Sequence, residues 1–317
     1  MMMNHPNRRE FLKASLLATA AVSLHPALNL AESEKNMQSF HLATNQYPWG
    51  TFYQREKRDF FKDLDLSLGE VAASGFEGYE PLAESPAAID RLALLLAKHH
   101  LEMRSLYVNS SLHEEKVAEK SFESVIQIAG AAKQKLGTRI IVTNPNPIRW
   151  GGQENKSDAQ LRLQAKMLNR LGIKLTAMGL KLAYHNHDPE LRMAARELHH
   201  MMMGTDPAHV HFCLDSHWVY RGAGNSNVAL FDIVKMYGAR VAEWHLRQSH
   251  SGIWTESFGE GDIDYKALAV ELKKAGARPH LVLEQAVEAG SPNTMNGLEA
   301  HKKSVAYARL ALADLAG

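Results

Sequence analysis

The segment KLAYHNHDPELRMAARELHHMMMGTDPAHVHFCLD, residues 181–215, decides the fold. It begins with a β-rich run, Lys181–His185, continues through a longer helical stretch, and ends in a second β-rich run, His209–Leu214. A strand followed by a helix and another strand predicts that the two strands lie parallel in one sheet. Each of the two strands is also followed at once by polar residues that can bind metals.

The same unit recurs along most of the chain. Helical patterns separate the β-rich runs, and several of them stop at a glycine, as Glu115–Leu136 does at Gly137, since glycine takes left-handed dihedrals without penalty. Eight alternations predict an α/β fold in which parallel strands close into a (β/α)₈ TIM barrel, one domain over residues 36–317. The predicted strands are Phe40–Gln46, Phe76–Pro81, Glu102–Val108, Arg139–Thr143, Lys181–His185, His209–Leu214, Arg240–Leu246 and His280–Glu284.

An open doubly wound sheet is the alternative fold. It would carry a glycine-rich phosphate turn after the first strand, and Asn45–Trp49 has no glycine.

The single cysteine, Cys213, lies in an apolar run and is expected to be a buried structural thiol.

Four metal-binding side chains stand at the ends of four successive predicted strands: His185, Asp215, His245 and Glu284. In a barrel the reactive residues sit at the C-terminal ends of the strands, so these four are expected to meet at one mouth. Two imidazoles and two carboxylates suit Mn²⁺, Zn²⁺, Co²⁺ or Fe²⁺ better than Ca²⁺. We therefore predict a divalent metal cofactor, with Mg²⁺ also left open as its identity.

These strand ends carry a family resemblance. Tyr184-His185-Asn186-His187, Leu214-Asp215-Ser216-His217-Trp218, Trp244-His245-Leu246-Arg247 and Leu283-Glu284-Gln285 resemble the xylose-isomerase-like sugar phosphate isomerase/epimerase superfamily, as does the loop Gly259–Asp264. The resemblance covers residues 40 to 312. It implies that Asp215, His245 and Glu284 are metal ligands, and that the activity is one of several: ketose epimerase, inosose dehydratase, hydroxypyruvate isomerase or endonuclease IV-type DNA repair.

The chain departs from the epimerases at one position. His185 stands where they place a glutamate that serves as ligand and as acid/base, which favours branches similar to inosose dehydratase; Glu190 in the following loop is the alternative source of a carboxylate. We expect Glu284 to act as general base, with His185 or Glu190 as its partner, through an enediolate next to a sugar carbonyl. Isomerisation and epimerisation are the primary expectation. A lyase or dehydratase, or a non-catalytic carbohydrate-binding barrel, remains as an alternative.

Further polar and aromatic residues near the predicted mouth are candidates for substrate binding. Tryptophan faces stack on the C–H surfaces of sugars, and imidazole, carboxylate and guanidinium groups bind hydroxyls. Packing in the core is the competing explanation for each tryptophan. The candidates are Glu80, Trp49, His187, His217, Trp218 and Arg247, with Trp254 as an additional aromatic group.

The N-terminus predicts export. Asn7-Arg8-Arg9-Glu10-Phe11-Leu12-Lys13 precedes the uncharged stretch Ala14–Leu24, a pattern that resembles a twin-arginine (Tat) signal over residues 1–35. The stretch is too short for a stable membrane span, so no lasting membrane insertion is expected after signal removal. We expect a periplasmic or otherwise exported protein. Because sugar phosphates are cytoplasmic metabolites, the small-molecule substrate is expected to be a non-phosphorylated sugar or keto-sugar.

The overall charge bears on partners. The chain has 36 basic and 35 acidic residues, a formal net charge of +1. An enzyme that binds nucleic acid normally needs a basic face to neutralise phosphates, so no nucleic-acid partner is expected and the endonuclease branch is disfavoured. A homo-oligomer is compatible with the sequence.

Overall fold

Eight parallel strands surround the centre of the structure, a computed structural model that describes residues 40–315. The strands are β1 Leu42–Asn45, β2 Gly78–Glu80, β3 Ser105–Tyr107, β4 Ile140–Thr143, β5 Lys181–His185, β6 Val210–Asp215, β7 Val241–Leu246 and β10 His280–Leu283. In space their order is β2-β1-β10-β7-β6-β5-β4-β3. Between the two outer members, Tyr79 N–H donates to Glu102 O and Tyr107 N–H donates to Pro81 O, so backbone bonds also connect β2 with β3. The predicted TIM-barrel fold is confirmed.

Helices follow the strands and cover the outside of the barrel. They are α1 Gln46–Arg55, α2 Leu64–Ala73, α3 Pro86–Lys98, α4 Glu115–Leu136, α5 Asp158–Ala177, α6 Arg192–Met203, α7 Ser216–Gly222, α8 Asn227–Tyr237, α9 Tyr265–Lys274 and α10 Gly297–Ala311. Local chemistry sets their ends: Ser157 and Gln160 form a capping box at the start of α5, and Gly137 ends α4 at φ +66°. Two short strands, β8 Ser249–His250 and β9 Ile253–Trp254, form a hairpin after β7.

Strand alternation separates two packing layers. Ile141, Leu182, Leu214 and Trp244 belong to the large apolar core in which strands and helices pack together. The alternate residues form a small apolar cluster of Tyr107, Ile140, Val142, Ala183 and Cys213. Because side chains alternate across a strand, this second group fills the barrel interior. Cys213 is a buried free thiol, as expected.

The predicted boundaries differ from the structure at one place that affects the site. The first strand ends at Asn45 and α1 starts at Gln46, because the Asn45 side chain accepts a hydrogen bond from Tyr47 N and caps the helix. The predicted strand Phe40–Gln46 is thus too long.

Within residues 40–315 no helix has the length and apolarity of a membrane span. The predicted Tat signal lies outside the described residues.

Candidate metal centre

Four side chains from four neighbouring strands meet at one end of the barrel. His185 ends β5, Asp215 ends β6, His245 belongs to β7, and Glu284 directly follows β10. One ligand atom from each lies within 4.8 Å of the others, and all four residues are buried. The register explains the convergence, since Asp215 pairs with His245 across β6–β7 and His245 pairs with Val282 across β7–β10. The sequence-predicted ligands therefore lie together.

The unpaired atoms in this cluster fit a divalent cation. Both ring nitrogens of His185 and Oδ2 of Asp215 are buried without a hydrogen-bond partner among the described residues. A buried polar atom without a partner costs free energy, so such atoms pointing at one place call for a ligand. Two imidazole nitrogens and two carboxylates are a suitable donor set for a first-row divalent metal or magnesium. The residues present fit the predicted cofactor.

Two asparagines hold the strand ends that carry His185 and Asp215. Asn186 Nδ2 donates to Asp215 O, and Asn186 Oδ1 accepts from Asp215 N, both at 3.1 Å. Asn144 Nδ2 donates to His185 O at 2.8 Å. Oδ1 of Asp215 accepts from Trp218 N at 2.8 Å because Asp215 also caps α7. Oδ2 of Asp215 is thereby left facing the cluster.

A pair of buried carboxyl groups lies behind His245. His245 Nε2 is 3.0 Å from Glu243 Oε1 and 3.3 Å from Glu80 Oε1, while its Nδ1 is 2.8 Å from Glu284 Oε2. Burial and the neighbouring Glu80 raise the pKa of Glu243 well above its usual value. Burial would also raise the pKa of Glu80, but His245 outweighs it and holds that pKa below its usual range. A metal-binding histidine is commonly oriented by a carboxyl group on its other nitrogen, which is the position of Glu243.

Arg247 lies beside the carboxylates of the cluster. Its guanidinium contacts Glu284 Oε1 and is 3.7 Å from Asp215 Oδ2, and the side chain is fully buried. The rings of Trp254 and Trp218 stack against it, with centroids 4.3 and 5.2 Å from Cζ. Burial would raise the pKa of Glu284, but Arg247 and then His245 lower it well below its usual range. Glu284 is therefore ionised, as a general base must be.

Two imidazoles of this site, those of His185 and His187, are neutral. Burial lowers the pKa of His185 well below its usual value, and burial lowers that of His187 to about 4. A neutral imidazole can bind a metal or accept a proton. Burial raises the pKa of Asp215 to about 6.

A cavity of about 440 Å³ opens above the cluster, a volume in the range typical of small-molecule sites. It includes no lysine or arginine, and aromatic rings form much of its wall. The lining residues are Asn45, Gln46, Tyr47, Glu80, Leu82, Tyr107, Asn109, Trp150, His185, His187, Asp188, Trp218 and Glu284. Three of the predicted substrate residues, Glu80, His187 and Trp218, are thus at the cavity.

Three other predicted substrate residues are not at the cavity wall. Trp49 is fully buried and stacks on His301 at 4.1 Å between ring centroids, because it follows Tyr47 on α1 and faces the helical layer. His217 is fully buried beside Tyr220 and Trp254. Arg247 binds Glu284 and lies under aromatic rings. The structure thus packs Trp49 in the core, the competing explanation given for the tryptophans, and His217 and Arg247 lie behind the wall.

Glu190 lies behind the cluster as well. Its Oε2 accepts from His187 N at 2.7 Å, and it belongs to neither the metal-binding group nor the cavity wall. Burial, reinforced by Glu197, raises its pKa to about 7. Of the two alternatives for the fourth ligand, the structure brings His185 to the cluster and places Glu190 under the His187 loop.

Several residues of the site were not predicted from the sequence. Tyr47 and Trp150 are half exposed at the cavity, and Trp150 is 5.2 Å from the ring of His187 in an edge contact. Trp150 could have been found, because it follows β4 in the loop at the same end of the barrel. Glu243 could have been found from alternation, since it is two residues before His245 and must share its face.

Comparison with known proteins agrees with this geometry. A curated relative, inosose dehydratase from Clostridium perfringens, is 25% identical over 254 residues, which are 70% of this chain and 82% of the relative. A magnesium complex of a xylose isomerase-like TIM barrel protein from Mycobacterium smegmatis has a TM-score of 0.67 at 14% identity, over 89% of this chain and 99% of that one. The 3-keto-D-glucoside 4-epimerase of E. coli has a TM-score of 0.63 at 13% identity, and the match covers 86% of this chain and 100% of that one. The family model that matches residues 68–309 is described as xylose isomerase-like TIM barrel. This chain belongs to the xylose isomerase-like TIM barrel family.

Proposed function

We propose that this protein is a divalent-metal-dependent sugar isomerase or epimerase. It removes a proton next to a carbonyl group of a non-phosphorylated sugar or keto-sugar, passes through an enediolate, and returns the proton to give the product. The observation that carries this proposal is the convergence of His185, Asp215, His245 and Glu284 within 4.8 Å at the floor of a cavity.

Each residue of the cluster has a part in this chemistry. His185, Asp215, His245 and Glu284 would hold a divalent ion, and that ion would supply Lewis acidity beside the carbonyl group of the substrate. Glu284 lines the cavity in its ionised form and takes the proton, and Asn45 Nδ2, 2.6 Å from Oε2, fixes its orientation. His187 faces the same cavity as a neutral imidazole and can donate to or accept from a substrate hydroxyl.

The cavity wall supports a substrate without phosphate. Its lining holds no lysine or arginine to bind a phosphoryl group, and its ionisable residues other than tyrosine and histidine are Glu80, Asp188 and Glu284, all acidic. The exposed faces of Tyr47 and Trp150 suit a sugar ring or an apolar aglycone. A free sugar, a keto-sugar or a keto-glycoside meets these conditions.

A lyase is the second candidate function. Loss of a leaving group from the β-carbon of the same enediolate gives dehydration or elimination without any change in the catalytic group that removes the proton. Two observations favour it: the relative from Clostridium perfringens is an inosose dehydratase, and His185 stands where the resemblance places an epimerase glutamate.

Solvent exchange separates these functions. Protein loaded with Mn²⁺ is incubated in D₂O with keto-sugars, free aldoses and keto-glycosides, and the products are followed by NMR. A product that gains carbon-bound deuterium but otherwise has the molecular formula of the substrate supports an isomerase or epimerase. A product that has lost water or an alcohol supports the lyase. If Glu284→Gln keeps sugar affinity and the parent protein shows neither exchange nor elimination, the protein is a carbohydrate-binding barrel. Turnover of sugar phosphates alone would overturn the proposed substrate class.

We also propose that the protein is exported by the twin-arginine route. Support comes from Arg8-Arg9 and the apolar stretch after Lys13. Fractionation of cells that express the full chain should place it outside the cytoplasm. A variant with both arginines changed to lysine should accumulate inside; equal export of the two would contradict the proposal.

A further inference from the structure

A second cavity lies at the opposite end of the barrel from the metal centre. We call it the basal cavity. It measures about 450 Å³ and is bounded by the starts of three of the strands that carry the metal ligands, β5, β7 and β10. Lys181 begins β5, which His185 ends, and His280 begins β10, which Glu284 follows. No ligand of the metal centre lines the basal cavity.

The basal cavity is strongly cationic. Four of its lining residues are Arg104, Arg139, Lys181 and Arg278. Glu102 pairs with Arg104 at 2.6 Å, whereas no carboxylate of residues 40–315 lies within 4.0 Å of Arg139 or Lys181. Among residues 40–315, no acidic residue lines the cavity. Several cations held around one concave surface create a positive potential that attracts anions.

Two imidazoles in the lining of this cavity, His41 and His280, supply hydrogen-bond donors. The side chain of His41 is only 6% exposed, and neither of its ring nitrogens has a hydrogen-bond partner among the described residues. His280 lies 5.2 Å away between ring centroids, and its Nε2 is unpartnered as well. Burial lowers the pKa of both histidines, and Arg104 lowers them further. Each neutral imidazole still carries one N–H that can bind an oxyanion.

We propose that the basal cavity binds a phosphate group, through the charges of Arg139 and Lys181 and through imidazole N–H donors in its lining. Guanidinium groups offer paired donors to phosphate oxygens, and lysine adds a point charge. The cavity is larger than one phosphate ion, so its ligand is either inorganic phosphate or a small phosphate monoester. This site is separate from the substrate pocket, whose charged lining is acidic.

Calorimetric titration with inorganic phosphate and with glycerol phosphate tests the proposal and distinguishes the two sources. We expect saturable binding of at least one of them, with a dissociation constant of about 1 mM or tighter. Tighter binding of the monoester identifies an organic ligand. The double variant Arg139→Ala/Lys181→Ala should bind about tenfold more weakly or worse, because two charge-assisted contacts are lost. Both side chains are exposed, so the fold should remain, as a thermal melt checks.

Two further variants complete the experiment. Lys116→Ala/Lys120→Ala removes the same charge from the exposed face of α4 and should leave phosphate affinity unchanged. Glu284→Gln alters the metal centre at the other end of the barrel and should keep phosphate binding. No binding of either phosphate compound, equal affinity in the Arg139→Ala/Lys181→Ala variant, or loss of binding in Glu284→Gln would overturn the proposal.

Discussion

Replacing Glu243 by leucine should weaken metal binding although Glu243 is not a ligand. Glu243 Oε1 lies 3.0 Å from His245 Nε2 and so keeps the other ring nitrogen directed at the cluster. Loss of such an outer partner typically weakens metal affinity about 10- to 100-fold. Glu80 remains 3.3 Å from the same nitrogen and retains part of the orientation, so we expect the lower end, about tenfold, or about 1.4 kcal/mol.

The assay is calorimetric titration of metal-free protein with Mn²⁺, with thermal unfolding measured beside it. Removing one partner from a buried charged network lowers stability, so the thermal melt establishes that the variant is still folded at the assay temperature. Weaker metal binding by the folded variant then reports the orientation of His245. The matched control is Glu243→Gln, whose amide oxygen can still accept from Nε2 and whose affinity should stay within about threefold. If Glu243→Leu binds Mn²⁺ as tightly as the wild type, or if both variants bind it equally weakly, Glu243 does not act by orienting His245.

Three other predictions concern the cavity, the loop behind it and the helical layer. Trp150→Ala should raise KM about three- to tenfold with little change in kcat, because it removes a stacking face that does not take part in the reaction; a fall in kcat alone would contradict this. Burial raises the pKa of Glu190 from 4.5 to about 7, so the native state holds this proton more tightly than the unfolded chain does. The free energy of unfolding should therefore fall as pH rises from 4.5 to 7 and then level off. In urea unfolding at several pH values, Glu190→Gln should flatten this slope. An unchanged slope would count against that assignment. Trp49→Ala should cost about 3–5 kcal/mol of unfolding free energy with metal affinity unchanged, and a raised KM without loss of stability would restore Trp49 as a substrate contact.

The sequence predicts the barrel and the metal cluster because both depend on local rules. Each βα unit shows its strand and helix by periodicity, and parallel strands bring their C-terminal ends to the same side of the sheet. His185, Asp215 and Glu284 each stand within one residue of the end of a strand. The position of a residue at the C-terminal end of a strand is therefore enough to predict that it lies at the C-terminal mouth of the barrel.

The cavity wall was predicted less well because it depends on side-chain direction in loops and helices. Asn45 caps α1 earlier than the strand pattern suggests, so Tyr47 faces the cavity while Trp49 is carried into the helical layer. Composition cannot distinguish these two aromatic residues. Trp150 depends on the path of the long loop between β4 and α5, for which the sequence has no periodic signal.

Arg247 illustrates a different difficulty. Its charge suggested contact with substrate, but the guanidinium pairs with Glu284 and lies under the rings of Trp218 and Trp254. A buried cation needs a carboxylate partner, and the partner comes from a strand 37 residues away in sequence. Only the three-dimensional arrangement identifies that partner.

Anomalous diffraction from crystals soaked in Mn²⁺ would show whether the four strand-end residues bind a metal. We expect one strong peak at the C-terminal mouth of the barrel, with nitrogen and oxygen ligands from His185, Asp215, His245 and Glu284 at about 2.0–2.3 Å. The peak should disappear in an Asp215→Ala variant that keeps the fold. A peak elsewhere, or no bound ion at a saturating Mn²⁺ concentration, would contradict the account.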